Sequence, residues 1–215
     1  MRIIDLGITD FLEAYRIQTD MVKEVSQGTA EDTLLLTEHR SVITIGRSGS
    51  WDNILKPKEY LSSRGIEVLD IDRGGDVTYH GPGQVIAYPI FKLEKESRAI
   101  HYFLHFLEEI AMHFLGQYGL IGETRPGFRG IWIRERKIAS IGIGVKKWVT
   151  YHGLAINVNL DLTPFSFIRP CGIEGLRMTT LKDLLAYELD IDDAKHRLRL
   201  SFKEVPFLAD EVCKG

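Results

Sequence analysis

The amino-acid sequence predicts an α+β fold: a mixed, mostly antiparallel sheet with helices packed on it. Three observations carry that reading. Strand-forming and helix-forming runs are segregated along the chain instead of alternating, which argues against a wound parallel sheet. Residues 131–160 show a period of two, in Ile131-Trp-Ile-Arg, then Lys137-Ile-Ala-Ser-Ile-Gly-Ile-Gly-Val, then from Trp148 to Leu160, the pattern of successive antiparallel strands. Within 97–118, Ile100, Phe103, Leu104, Leu107, Ile110, Ala111, Phe114 and Leu115 recur at three- and four-residue intervals, giving one helix an apolar face that can lie across a sheet.

The remaining elements follow in chain order. Residues 2–6 read as a short strand, and Thr9 or Asp10 caps a helix that runs to about Gln27 and stops at Gly28. Its apolar face is Phe11, Tyr15, Met21, Val22 and Val25. Residues 33–37 and 42–45 are β-rich, and the short polar Glu38-His-Arg-Ser between them predicts a hairpin. A loop opens at Gly46. Pro57 and Gly65 bracket a short helix, after which 66–71 and 85–93 are strands. Residues 163–175 form an irregular loop, and 180–189 and 192–203 are short capped helices expected at the periphery.

Composition bounds the possibilities. With 215 residues, 44% hydrophobic and 27% charged, the chain can bury a sizeable core, so one domain over 1–215 is expected. A formal charge of −3 gives no global reason to bind nucleic acid or an anionic membrane. Cys171 and Cys213 stand far apart in dissimilar contexts, unlike a disulfide framework or a zinc knuckle. Asp5 interrupts the N-terminus before a signal-like apolar run, and no run is long enough to span a bilayer, so a soluble, cytoplasmic protein is expected. His101 and His105 are four apart but lack the other ligands of a zinc site, and they read as surface or packing residues; no metal is expected.

The stretch Arg73-Gly-Gly-Asp-Val-Thr-Tyr-His80-Gly-Pro-Gly-Gln84 lies between two apolar runs and reads as one wall of a ligand site. Glycines let backbone N–H groups approach a ligand, whereas a plain turn has no need of an interleaved Arg, Thr and His. Cys171, between Pro170 and Gly172, is placed by its neighbours at an exposed corner suited to a nucleophile, although a lone cysteine is more often a small buried hydrophobe. A thiol needs an adjacent cation or base to react at neutral pH, and Lys137, His80, His152, Arg169 and Arg73 are the candidates. Lys137 opens a strand in which Ala139, Gly142 and Gly144 leave space for a ligand, although an ordinary turn lysine fits the spacing too.

Four motifs in this order, residues 73–84, Lys137-Ile-Ala-Ser-Ile-Gly, His152-Gly-Leu-Ala-Ile-Asn-Val-Asn and Pro170-Cys-Gly, resemble the lipoyl(octanoyl) transferases, or lipoate-protein ligases B. The resemblance is close over residues 73–175. It implies a single catalytic domain of biotin/lipoate ligase-like fold that moves octanoyl from acyl carrier protein to a lysine of lipoyl domains. Those acceptors are the lipoyl domains of 2-oxoacid dehydrogenase complexes and the glycine cleavage H protein. It also implies Cys171 as the acyl-thioester nucleophile and Lys137 as the group that lowers its pKa. Arg73, Gly74, Gly75, Asp76, Val77, Thr78, Tyr79, His80, Ser140, Ile141, Gly142, Gly153, Leu154 and Ala155 would line the acyl site. His80 and His152 would shape the pocket.

An activated thioester donor needs no nucleotide, and no Walker loop or other cofactor motif is present. Two alternatives share parts of this pattern: an ATP-dependent lipoate or biotin ligase, whose relatives have the lysine without the cysteine, and a non-catalytic acyl-binding module with an inert Cys171. Finally, Arg125, Arg129, Arg134, Arg136, Lys137, Lys146 and Lys147 face a single acid, Glu135, over 125–147, and read either as a docking patch for an acidic carrier or as a solvated strand face.

Overall fold

The computed structural model describes residues 1–93 and 97–207, so Cys213 lies outside the described residues. Strand β1 (Arg2–Thr9) leads into helix α1 (Phe11–Gln27). Asp10 takes the N-cap position with extended backbone, but its carboxylate pairs with Arg40 at 3.1 Å rather than capping an amide. Gly28, left-handed at φ 75°, closes the helix with its N–H on the Val25 carbonyl. The buried stripe of α1 is Phe11, Ala14, Gln18, Val22 and Val25, with Tyr15 and Met21 half-buried at its edge.

Among the described residues the larger sheet has eight strands. Its order is β1, β2 (Thr33–His39), β6 (Gln84–Ile90), β10 (Val149–Asn157), β9 (Arg136–Lys146), β8 (Phe128–Ile133) and β7 (Glu123–Arg125), with β11 (Arg177–Met178) on β9. The β1–β2 and β9–β11 pairs are parallel and the rest antiparallel. A second, three-stranded sheet has the order β4 (Glu67–Asp70), β3 (Val42–Ile45), β5 (Val77–His80), with helix α2 (Lys58–Ser63) between β3 and β4 in the chain. This is the mixed, mostly antiparallel α+β architecture that the periodicity predicts.

The hairpin expected between 33–37 and 42–45 does not form. Both edges of β2 are occupied, by β1 and by β6, so β3 leaves that sheet and pairs with β4 and β5 instead. The glycine-rich stretch is also not one open loop, because Val77–His80 is itself a strand.

Helices α3 (Ser97–Gly116) and α5 (Ile191–Glu204) cover one face of the larger sheet, packing Phe103, Leu107, Ile110, Phe114, Leu198 and Phe202 against Leu34, Leu36, Val85, Ala87, Leu154 and Ile156. Helix α1 covers the other face at Leu35, Ile86 and Tyr88. Coverage on both faces explains why β2, β6 and β10 are buried at every position. Each large core side chain contributes about 1.5–3 kcal/mol by leaving water. The C-terminal helices, expected at the periphery, supply Leu181, Ala194, Leu198 and Phe202 to this core. Thr180 caps the shorter one, α4 (Leu181–Leu185), and Asp190 caps α5. No helix among the described residues is long and apolar enough to cross a membrane.

Candidate active site

Lys137 lies at the start of β9, almost fully buried at 2% exposure. Burying an ammonium is costly unless it finds compensating partners. Its Nζ donates to Cys171 Sγ at 3.3 Å and lies 4.9 Å from the centre of the buried Trp132 ring, a cation–π contact. Among the described residues no carboxylate pairs with it. Space for the side chain comes from Gly130 on β8: a Cβ there would meet the Ala139 carbonyl at 2.2 Å and Lys137 Cε at 2.7 Å.

Cys171 is half-buried in a tight 3₁₀ turn, Pro170–Gly172, with left-handed backbone at φ 57°. A non-glycine residue held there stores on the order of 1–3 kcal/mol, so its surroundings must fix it. The Arg169 N–H donates to the Asn53 carbonyl at 2.8 Å, and Asn53 Nδ2 donates to Asp76 Oδ2 at 2.8 Å. The turn is thereby tied to the glycine-rich stretch.

That stretch docks on β9 where the strand has no side chain. The Gly74 N–H donates to the Ile143 carbonyl at 2.9 Å, and a Cβ on Gly142 would stand 2.8 Å from the Gly74 carbonyl oxygen and 2.9 Å from Arg73 Cδ. The Arg73 guanidinium donates to the carbonyls of Gly74 and Asp76, each at 2.7 Å, and to Thr44 Oγ1 at 3.2 Å. Burial pushes Arg73 down from its usual range, and the neighbouring Cys171, Tyr88 and Asp76 oppose that shift.

A cavity of about 570 Å³ runs between these elements. It is lined by Lys137, Cys171, Arg73, Gly74, Gly75, Asp76, Val77, Thr78, His80, Ser140, Ile141, Gly142, Gly153, Leu154 and Ala155, so the structure brings nearly all the expected site residues together. Tyr79 is the exception. Its hydroxyl bonds Ser41 at 3.0 Å and its ring packs edge-on against Phe165, in a core cluster beside the cavity. Phe11, Ile86, Tyr88, Ile100, Leu104, Phe128 and Arg129 also line the cavity; they read in the sequence as ordinary core or surface residues.

Both pocket histidines are neutral at pH 7. Burial, reinforced by His39, pushes His80 down to about 3. Its tautomer follows from a chain of hydrogen bonds. The Thr179 carbonyl can only accept, so it receives Asn157 Nδ2 at 3.1 Å; Asn157 Oδ1 then receives Gln84 Nε2 at 2.9 Å. Gln84 Oε1 is left to accept His80 Nδ1–H at 2.7 Å, so Nε2 carries the lone pair. His152 is pushed down by burial, against the pull of Asp72, whose Oδ1 lies 3.2 Å from His152 Nε2. That hydrogen bond, with those from Tyr151 and Tyr15, holds the Asp72 carboxyl well below the usual range. His152 is left-handed at φ 55°, and its N–H donates to Gln18 Oε1 at 2.7 Å instead of to β6.

The basic run over 125–147 does not form one patch. Nine residues of β9, roughly 30 Å of strand, separate Lys137 from Lys146. Arg125 is engaged by Glu123 and Glu135, and Arg129 by the buried Glu108. His105 pairs with Glu108 and Glu109, and among the described residues no cluster of His, Cys, Asp or Glu could hold a metal ion.

The arrangement of the sheet, with helices on both of its faces, is shared with solved lipoate and biotin protein ligases. A chain from the structural analysis of a bi-partite lipoate protein ligase and its E2 lipoyl domain from Thermoplasma acidophilum superimposes with a TM-score of 0.71 at 18% identity, covering 95% of this chain and 82% of that one. Biotin protein ligase from Aquifex aeolicus gives 0.53 at 12% identity, over 95% and 68%. The chain belongs to the lipoyl protein ligase A/B catalytic domain family, which matches residues 10–203. Among its relatives, an octanoyltransferase of Geobacter sp. (strain M21) is 45% identical over 204 residues, 95% of each chain. One of Syntrophotalea carbinolica is 42% identical over 205 residues, 95% of this chain and 94% of that one.

Proposed function

We propose that this chain is an octanoyltransferase of lipoate biosynthesis that carries the octanoyl group on Cys171, taking it from acyl carrier protein and passing it to a lysine of a lipoyl domain. The octanoyltransferase relatives and the matched family support the activity. The observation that carries the mechanism is the buried Lys137 ammonium, whose partner among the described residues is the Cys171 sulfur at 3.3 Å. A buried cation beside a thiol favours the thiolate.

In the first half-reaction the Cys171 thiolate attacks the donor thioester carbonyl. The tetrahedral intermediate expels the carrier thiolate, which takes a proton from Lys137 and leaves as a thiol. Cys171 then bears the octanoyl thioester and Lys137 is a neutral amine. In the second half-reaction the acceptor lysine, entering as a free amine, attacks the same carbonyl and gives its proton to Lys137. The Cys171 thiolate departs and the ammonium–thiolate pair is restored, with one lysine serving both transfers. His80, neutral and with its lone pair on Nε2, shapes the pocket without competing for these protons.

Acceptors of this class are lipoyl domains of 2-oxoacid dehydrogenase complexes and the glycine cleavage H protein; the structural analysis of a lipoate protein ligase of similar fold names an E2 lipoyl domain as its own. A thioester donor makes ATP unnecessary, whereas a related lipoate-protein ligase A was solved with ATP bound. Transfer assays with octanoyl carrier protein and a lipoyl domain, without ATP, test the proposal. Cys171→Ala abolishes transfer and Cys213→Ala leaves it intact; an ATP requirement, or near-normal turnover by Cys171→Ala, would refute it.

A further inference from the structure

His152 lines the main cavity, and a second, smaller cavity of about 260 Å³ is lined by residues packed against that histidine. Tyr15, Asp72 and Tyr151 line the second cavity, and each touches His152 or holds what does. Asp72 accepts from Tyr151 Oη at 2.6 Å and lies 3.2 Å from His152 Nε2, while the Tyr15 ring stacks on the imidazole at a centroid distance of 5.6 Å. One carboxylate thus ties the wall of one cavity to the floor of the other. The backbone is committed to the same arrangement: His152 is left-handed, and the buried Gln18 side chain takes its N–H out of the sheet ladder. Strain held in place by such dedicated partners points to a positional role.

We infer that His152 is a specificity-determining residue that sets acyl-chain length, closing the acyl channel at the depth of an octanoyl tail and shutting off the second cavity. This rests on Cys171 carrying the acyl group. In the β9–β10 register His152 stands opposite Ile143, and Ala155 opposite Ser140. From Ser140 to Ile143, β9 rises roughly 10 Å. An extended eight-carbon chain reaches about the same distance. Phe11, Ile86 and Tyr88 supply apolar walls on the face of the sheet where the His152 ring lies, and the paired imidazole meets the terminal methyl. A longer tail must displace a side chain held by a carboxylate and by a tyrosine stack.

The test compares octanoyl and dodecanoyl groups on the same carrier protein, as the ratio of kcat/KM within each variant, which cancels any difference in the folded fraction. Each methylene accommodated or excluded in an apolar pocket changes selectivity about tenfold or more. His152→Gly, at a position whose backbone suits glycine, raises the dodecanoyl-to-octanoyl ratio on the order of 10-fold or more. Combining it with Asp72→Asn raises it further, because no charge then faces the tail. Tyr15→Ala, at a half-buried helix position, loosens the same partition without touching the strand and shifts the ratio in the same direction. An unchanged ratio in the folded variants would overturn the inference. Absence of any octanoyl adduct on wild-type Cys171 would instead refute the acyl-enzyme reading, so the two failures are separable by intact mass.

Discussion

Lys137 Nζ lies 3.3 Å from Cys171 Sγ although the two residues are 34 positions apart, one on the first residues of a strand and the other in a strained turn. Removing that ammonium while keeping the side-chain volume isolates its effect. Lys137→Met moves the pH profile of Cys171 alkylation by iodoacetamide to higher pH and lowers the rate at neutral pH. An unchanged profile would assign activation to another cation, such as Arg73, whose charge Cys171 feels.

Gly130 is predicted to matter as much as a residue that touches substrate. A methyl group there collides with the Ala139 carbonyl and with Lys137 Cε, and the φ of +125° is unsuited to alanine. Gly130→Ala displaces the lysine and lowers transfer on the order of 10²-fold, the usual cost of misplacing a reacting group by about 1 Å. Near-normal kcat/KM in a folded Gly130→Ala protein would contradict this account of the site.

The buried histidines make stability pH-dependent. Burial pushes His39 down to about 4 and His80 to about 3, so both are neutral in the folded protein where the unfolded chain already binds protons. The unfolded state binds more protons between pH 6.5 and those values, so stability falls as pH drops through that window. The depressed Asp72 carboxyl acts in the same direction at still lower pH. Thermal unfolding followed from pH 7 to pH 4 shows a steadily falling Tm, and His39→Gln, which keeps a donor and an acceptor, flattens the slope. A Tm independent of pH over this range would show that these rings are not buried neutral.

Gln84 links His80 to Asn157 inside the protein. Gln84→Leu leaves buried partners on both sides unsatisfied, and costs about 1–3 kcal/mol in chemical denaturation. A loss within about 0.5 kcal/mol, the range of ordinary surface substitutions, would mean that solvent replaces the amide.

Much of this was legible in the sequence, for physical reasons. Period-two runs gave β8, β9 and β10, and the spacing of Phe103, Leu107 and Phe114 gave α3. The pairing of β2 with β1 and β6 was not legible, since burial on both faces removes the alternation that would set a partner. In the site, glycines and charged groups stood out, whereas Tyr88, Ile100 and Leu104 line the cavity with side chains indistinguishable from core. Gln18 was a readable signal: a polar residue within the apolar stripe of α1, there because it holds the turned backbone of His152. The single basic patch failed because sequence proximity along an extended strand is distance in space.

The central claim is that Cys171 carries the acyl group. Intact mass spectrometry after incubating the protein with octanoyl carrier protein, without ATP and without acceptor, tests it directly. The account predicts a mass gain of one octanoyl group, mapped by peptide analysis to Cys171, absent from Cys171→Ala and discharged when a lipoyl domain is added. No adduct, or an adduct that an acceptor does not discharge, would contradict it.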